Sequence, residues 1–325
     1  MVSARRIAFN LLTMIPGVDR LPVINRRRHR RYLGEGGTDK ARYCYTVWLR
    51  HLVLAQQNGL NVTPQVIAEL GPGNSIGMGL AALLCGAEKY YAFDVVAQTN
   101  VQRNLAVFEE LIALFRARAP IPSSDEFARV RPTLSDYAFP AHILTPERMR
   151  EAMSEERLQK IRWSIEHVSE AGSMIKYQAP WFDAGVVQEG TVDVIFSQAV
   201  LEHVDDLDGT YSAMRQWLKP DGYISHEIDL SCHGWAREWN GHLTYSDMAW
   251  KIIRGKDLWL INRETKSAHI RLLERTGFQV VGSQTARRES RVRKDQVARR
   301  YRGIPEDDLT ATGYFVQATV GTRPH

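Results

Sequence analysis

The stretch Val66-Ile67-Ala68-Glu69-Leu70-Gly71-Pro72-Gly73-Asn74-Ser75-Ile76-Gly77 limits the fold more than any other part of the chain. An apolar run ends in an acid, meets a glycine-rich turn and passes into a helix-like run, Met78 to Leu84. Gly71 and Gly73 let the backbone turn tightly and let a ligand come close, because no Cβ stands in the way. A helix beginning near Asn74 or Ser75 points unpaired N–H groups at such a ligand. Strand, glycine turn and helix in this order make a nucleotide-binding corner. A dinucleotide corner carries its third glycine three residues after the second. Here that position is Ile76, and Gly77 comes one residue late. The pyrophosphate fingerprint is therefore imperfect, and a plain turn without a ligand is the alternative.

A ligand without phosphate suits this corner better. S-adenosylmethionine offers a sulfonium and an ammonium, so the Glu69 carboxylate beside the turn can serve it through water or backbone N–H groups. A second strand, Lys89-Tyr90-Tyr91-Ala92-Phe93, runs into Asp94. An acid at that tip can accept both ribose hydroxyls. The interval from Gly73 to Asp94 matches the ~20 residues of a strand–helix–strand unit. A third block starts with the apolar run Val192 to Phe196, ends in Ser197-Gln198, and continues into a short amphipathic turn with Glu202-His203. A helix through Tyr211 to Leu218 then stops at Lys219-Pro220-Asp221-Gly222, and a strand, Tyr223 to Leu230, follows. Proline cannot continue the helix and glycine serves the turn.

These motifs resemble those of class I S-adenosylmethionine-dependent methyltransferases. ELGPGNSIG at 69–77 resembles that family's first motif, and AFD at 92–94 its ribose-binding acid. FSQAVLEHVDD at 196–206, followed by LKPDGY at 218–223, resembles the fourth strand and the segment after it. The resemblance covers 64–98 and 174–230 closely and the C-terminal strands loosely. It implies an α/β, Rossmann-like fold with a seven-stranded, mostly parallel sheet and a reversed C-terminal strand. It also implies S-adenosyl-L-methionine as cofactor, held by Glu69, Gly71, Pro72, Gly73, Asn74, Ser75, Asp94, Ser197 and Gln198. One departure stands out. Many members bind the adenine amino group with an acid after the third strand. Here that strand, Met174 to Tyr177, leads into Gln178-Ala179-Pro180-Trp181, which places adenine contacts on the Ala179 backbone or on Trp181.

The chain has 325 residues, enough for one or two domains, and its 44% hydrophobic and 24% charged residues are ordinary for a globular protein. No apolar run approaches the ~20 residues of a membrane span. Ile7 to Ile15 reads as an amphipathic helix with Pro16 after it, being too short and too interrupted for a signal core. Cys44, Cys85 and Cys232 are scattered and odd in number, which indicates no disulfide framework and suits a reducing cytoplasm. The net charge of +5 gathers in two clusters. One is Arg26-Arg27-Arg28-His29-Arg30-Arg31; the other, Arg287 to Arg302, has eight Arg/Lys against Glu289 and Asp295. A solvated face, or peripheral contact with an anionic membrane surface, fits them. Nucleic acid fits least, because no recognisable nucleic-acid module accompanies the clusters.

Residues 1–63 read as an N-terminal helical extension with a helix from Asp39 to Gln57, and 64–325 as the methyltransferase domain. Within it, 99–173 is a helical insertion or lid, with helices over Val101–Ala117 and Thr145–Val168 and a loop from Pro120 to Pro140. Near the end, Ser267–Thr276 reads as a helix, and Phe278–Gln284 and Gly313–Val320 as strands.

Ligands bind outside the carboxyl ends of the strands in such a sheet. The fifth strand ends in Ser225-His226-Glu227-Ile228-Asp229-Leu230-Ser231-Cys232-His233-Gly234-Trp235, the densest titratable cluster in the chain. Alternation puts His226 and Ile228 on one face, Glu227 and Asp229 on the other. Methyl transfer to a hydroxyl requires alignment and removal of a proton. His233 suits the general base and Asp229 its orienting partner; local loop bonding is the alternative. His226 reads as a strand histidine, and His203 as a brace for the turn after the fourth strand. Relatives that use a metal have an extra acid about where Cys232 stands, so no metal is expected. Trp235 and Trp239 suit stacking on a sugar ring; Trp250 and Trp259 suit core packing. Tyr43, Tyr45 and Trp48 either close over the cofactor or pack their helix onto the sheet.

The acceptor is thus expected to be a hydroxyl, and less so an amine, of a small molecule or glycan. A nicotinamide-dependent oxidoreductase, a non-catalytic cofactor-binding subunit and a nucleic-acid methyltransferase are the alternatives.

Overall fold

A computed structural model describes residues 4–15, 37–181, 183–256 and 260–321. The basic cluster at 26–31 and Trp259 lie outside these residues. The helices are α1 (Ala4–Thr13), α2 (Ala41–Gln57), α3 (Gly77–Leu84), α4 (Val101–Arg116), α5 (Pro146–Ala152), α6 (Glu155–Glu166), α7 (Leu207–Trp217), α8 (Asp247–Arg254), α9 (Lys266–Arg275) and α10 (Glu306–Thr310). The strands are β1 (Val66–Leu70), β2 (Lys89–Phe93), β3 (Ile175–Gln178), β4 (Val192–Gln198), β5 (Leu218–Asp229), β6 (Phe278–Arg287) and β7 (Ala311–Val320).

The seven strands form one sheet in the order β3-β2-β1-β4-β5-β7-β6. β1 to β5 run parallel, and β7 runs antiparallel to both β5 and β6. This is the sheet implied by the motif resemblance, with its reversed last strand. Order switches between β1 and β4, so the carboxyl ends of β2, β1 and β4 surround a crevice where a ligand can sit.

Alternating residues of the strands feed two apolar layers. Ile67, Tyr90, Ala92, Ile175, Val194, Phe196, Tyr223 and Phe315 face a layer built from α2 to α6. Ala68, Leu70, Phe93, Ile195, Ile224, Ile228, Tyr314 and Val316 face the layer of α7 and α9. Buried except at Arg42, Tyr43 and its last two positions, α2 belongs to the first layer. Its Tyr45 and Trp48 are core residues, and only Tyr43 lies half-buried, edge-on to Phe127. Arg50, fully buried, donates to the carbonyls of Pro122 (2.7 Å), Val130 (2.6 Å) and Pro132 (3.1 Å), which pins the 120–132 loop to the helix.

Several boundaries differ from the sequence reading. The helix expected over Thr145–Val168 is two, because Met153 leaves helical geometry and the extended Ser154 starts a new helix with Glu155 and Glu156 in its first turn. β5 begins at Leu218, five residues before the expected strand start at Tyr223, with an irregularity opposite Val192–Val194. Gly222 therefore lies within the strand, where a Cβ would stand 2.9 Å from the Val192 carbonyl oxygen. At the N-terminus, α1 docks on α8: Asn10 Nδ2 donates to the Ile253 carbonyl, and Lys256 N–H donates to Thr13 Oγ1.

Among the described residues no helix is long and apolar enough to cross a membrane. All three cysteines are free and buried. In the second basic cluster Arg287 pairs with Asp307, Arg293 with Asp295, and Arg300 with Asp247 and Glu264.

Candidate active site

The glycine turn follows β1. Gly71 has φ +66° and Gly73 φ +71°, the left-handed region that favours glycine. A Cβ on Gly71 would stand 2.5 Å from Val200 Cγ2, so β4's following loop also requires its absence. The helix after the turn starts at Gly77, later than Asn74 or Ser75, and the amides just before it are taken by side chains. Asn74 and Ser75 N–H groups point at Thr38 Oγ1 (3.1 and 3.4 Å), and Ile76 N–H donates to Asn104 Oδ1 (3.2 Å). Ser75 Oγ donates to the Thr38 carbonyl and accepts from Gly77 N–H. Arg103 donates to the Asn74 carbonyl at 2.8 Å. The expected unpaired N–H groups are thus absent at these positions. Thr38 and Asn104 sit 36 and 28 residues from their partners and carried no signal in the sequence.

Asp94 closes the corner from β2. Its carboxylate accepts from Gly73 N–H at 3.3 Å, Val95 N–H at 2.7 Å and Val96 N–H at 3.3 Å. Burial raises its pKa against these three donors. Beyond β3, Ala179 and Trp181 are half-buried, and Trp181 packs against Phe93 and Trp217 at 5.5 and 5.3 Å between ring centroids. The turn, Asp94 and Ala179–Trp181 thus occupy three neighbouring strand ends. Pro72 is buried in the turn. Glu69 is fully buried beneath α3, where Tyr90 Oη donates to Oε2 while Oε1 has no hydrogen-bond partner. Burial pushes its pKa up to about 8, against the Tyr90 and Gly79 donors.

On the other side of the switch point lie the ends of β4 and β5. Ser197 faces the α7 layer and bonds His226 Nδ1 at 2.8 Å, so His226 is a buried strand histidine as expected. Gln198 faces the α2 layer: His51 Nε2 lies 3.2 Å from its Oε1, and its Nε2 donates to Glu227 Oε2 at 3.2 Å. His51 Nδ1 reaches Ser225 Oγ at 2.7 Å. Burial, then the nearby Asp229, lifts Glu227 to about 8, and burial lowers His51 to about 4.

Asp229 and His233 meet, with Oδ2 to Nε2 at 3.1 Å. Burial works to raise the Asp229 pKa, but the hydrogen bond and charge of His233, with the Ser231 donors, hold it below its ordinary value. His233 is backbone-strained at φ +48°, and Gly234 follows at +73°. The ring of His203 lies edge-on to that of His233 at 5.2 Å. Glu202 is buried beside them and its pKa is raised well above the ordinary range by burial and by Asp229 and Glu227. The sequence reading had His203 as a local brace and gave Glu202 no role. The available signal was that both follow one strand end while His233 follows the next. Of the tryptophans, Trp235 and Trp250 are core residues, and Trp239 Nε1 donates to the Glu289 carbonyl. Cys232 is buried with its thiol directed at the Glu238 carbonyl.

The glycine turn, Asp94 and Ala179–Trp181 thus stand at the ends of β1, β2 and β3, and the polar side chains of Gln198, Glu202, Glu227, Asp229 and His233 gather at the ends of β4 and β5. Two solved structures similar to this chain are S-adenosylmethionine-dependent methyltransferases from Mesorhizobium loti and Methanosarcina mazei. The first is 14% identical, with 83% of this chain and 97% of that one covered and a TM-score of 0.40. The second is 12% identical, with 82% and 97% covered and a TM-score of 0.43. No curated protein matches the chain. The family model of a methyltransferase domain matches residues 63–283, from just before β1 into β6. Together with the strand order and the motifs at 69–77 and 92–94, that match places the chain in the class I methyltransferase family, whose cofactor is S-adenosyl-L-methionine.

Proposed function

We propose that the chain transfers the methyl group of S-adenosylmethionine to a hydroxyl of a small molecule or glycan. Gly71, Pro72, Gly73, Asn74 and Ser75 shape the crevice, Asp94 accepts from the ribose hydroxyls, and Ala179 and Trp181 border the adenine. Glu69, Ser197 and Gln198 support it from beneath. The sulfonium lies toward β4, so the acceptor enters over Gln198, Glu227 and Asp229. There His233, steadied by Asp229, takes the hydroxyl proton as oxygen attacks the methyl carbon and the carbon–sulfur electron pair returns to sulfur. The observation that carries this reading is the 3.1 Å His233–Asp229 pair at the strand end beside the crevice. An amine acceptor is the second reading, favoured by the three carboxyls Glu202, Glu227 and Asp229 at this end. The buried thiols suit a reducing compartment such as the cytoplasm. Arginines of the 287–302 cluster are available for peripheral contact with anionic membrane.

Calorimetric titration with S-adenosylhomocysteine and with NAD(H) tests the cofactor. Asp94→Ala is expected to weaken S-adenosylhomocysteine binding by roughly tenfold or more, as for loss of charged hydrogen bonds; NAD(H) binding in its place would defeat the reading. His233→Ala is expected to lower methyl transfer from labelled cofactor to a hydroxyl acceptor panel by about 10²–10⁴-fold with cofactor affinity unchanged. Full turnover in that variant would put the base elsewhere.

A further inference from the structure

The segments that follow β4 and β5 converge on one point. Glu202 and His203 come from a single tight turn, Leu201–His203, and His233 comes from the loop after Asp229. A carboxylate oxygen and one ring nitrogen from each histidine all lie within 4.8 Å of one another. Ligand atoms at about 2.0–2.2 Å from a shared centre are at most ~4.4 Å apart, so small side-chain rotations bring this set onto one ion. We propose that Glu202, His203 and His233 bind a divalent transition-metal ion.

Three independent observations support it. Glu202 is only 2% exposed, yet neither of its carboxylate oxygens has a hydrogen-bond partner; His203 Nε2 lies 3.9 Å from Oε1. A buried carboxylate left in this way is costly, and a cation in front of it removes the cost. His233 has the outer contact that metal-bound histidines carry, a carboxylate on a ring nitrogen, here Asp229 at 3.1 Å. Its left-handed backbone, with Gly234 after it, turns the ring toward His203. The expectation of no metal had rested on Cys232, whose thiol points to the Glu238 carbonyl and takes no part.

Two imidazoles and one carboxylate suit zinc, manganese, iron or cobalt better than calcium or magnesium. Three protein ligands leave a position open for an acceptor oxygen. The inference rests on the reading of the β4 and β5 ends as the acceptor site and changes one step of it. Glu202, His203 and His233 would hold the ion, and the ion would supply Lewis acidity that lowers the pKa of an acceptor hydroxyl beside it; the proton would then go to water rather than to His233 as the oxygen attacks the methyl carbon and the carbon–sulfur pair returns to sulfur.

The test uses full-length protein dialysed against a chelator and titrated with Zn²⁺ and with Mn²⁺, alongside the absorption spectrum of Co²⁺-loaded protein. One equivalent is expected, with ligand-field bands in the Co²⁺ spectrum. Glu202→Gln and His203→Ala are each expected to weaken binding by roughly tenfold or more. Thermal melts confirm that both variants fold. Absence of saturable binding overturns the site, as does unchanged affinity in a His203→Ala/His233→Ala double variant. Titration of the same samples with S-adenosylhomocysteine separates the two readings. Cofactor binding without metal binding sinks the ion alone and leaves His233 as base; metal binding without cofactor binding upholds the ion and sinks methyl transfer.

Discussion

Glu69 sits where a charge is poorly solvated: no water reaches it, and its one side-chain donor is Tyr90. Its pKa, raised to about 8, compares with an ordinary value near 4.5. Between these two values the folded chain keeps a proton that the unfolded chain has released. Stability therefore falls as pH rises across that interval, by up to about 1.4 kcal/mol per pH unit. Glu227, raised to about 8 by burial, adds a slope of the same sign. Glu69→Gln keeps an acceptor for Tyr90 and removes the titration, so thermal melts from pH 5 to pH 8 should decline less steeply than in the parent. Equal slopes in both proteins would show that Glu69 is charged in the folded state. At this scale the sequence was informative where a residue's role depends on its neighbours in the chain. Gly71, Gly73 and Asp94 are set by a turn and a strand tip, and Asp229 meets His233 four residues on. It was silent where the role depends on a distant partner: Thr38, Asn104, and Glu202 with His203.

Among the elements, α3 shows what a glycine can do without a left-handed backbone. A Cβ on Gly79 would stand 2.1 Å from the ring of buried Tyr90, and one on Gly77 would stand 2.5 Å from Cys44 Sγ. The late glycine that spoils a dinucleotide fingerprint thus serves the approach of α2 to α3, and Gly79 the seating of α3 on β2. In an open helix, glycine to alanine stabilises by about 1 kcal/mol. Overpacking against a rigid core ring costs about 1–3 kcal/mol or more. Gly79→Ala should therefore lower the melting temperature, and a rise would mean that Tyr90 moves freely. Element type and order were legible because apolar runs, glycine turns and the Pro220 stop recur with strand and helix spacing. The break at Met153–Ser154 was not, since no proline or glycine marks it. Nor was the start of β5, which pairing with β4 extends back through Leu218.

Across the whole molecule, one guanidinium joins parts of the chain more than seventy residues apart. Arg50 has no acid among its hydrogen-bond partners and satisfies its charge on three loop carbonyls and Thr46, with its plane over Tyr137 at 5.0 Å. Arg50→Met removes the guanidinium from all three carbonyls, leaving Pro122 with Thr46 Oγ1, Val130 with Arg131 and Pro132 with no donor among the described residues, a loss on the order of 3 kcal/mol. Faster proteolysis between 120 and 137 is the expected readout, together with a lower melting temperature; an unaltered cleavage pattern would show that the loop is held by other contacts. A helix read as an extension at 1–63 is, through such contacts, a wall of the same layer that α3 and α4 build.

The Thr38 hydroxyl at the mouth of α3 has a consequence for what the crevice admits. Helix entrances of this kind attract phosphate because their amides lack acceptors. Here the protein supplies the acceptors itself, from Thr38 and Asn104. A phosphorylated nucleotide would have to displace the chain's own side chains to bond these three amides, whereas a thioether nucleoside asks nothing of them. The Asp94 carboxylate on the neighbouring Gly73 amide adds a like charge to the same exclusion.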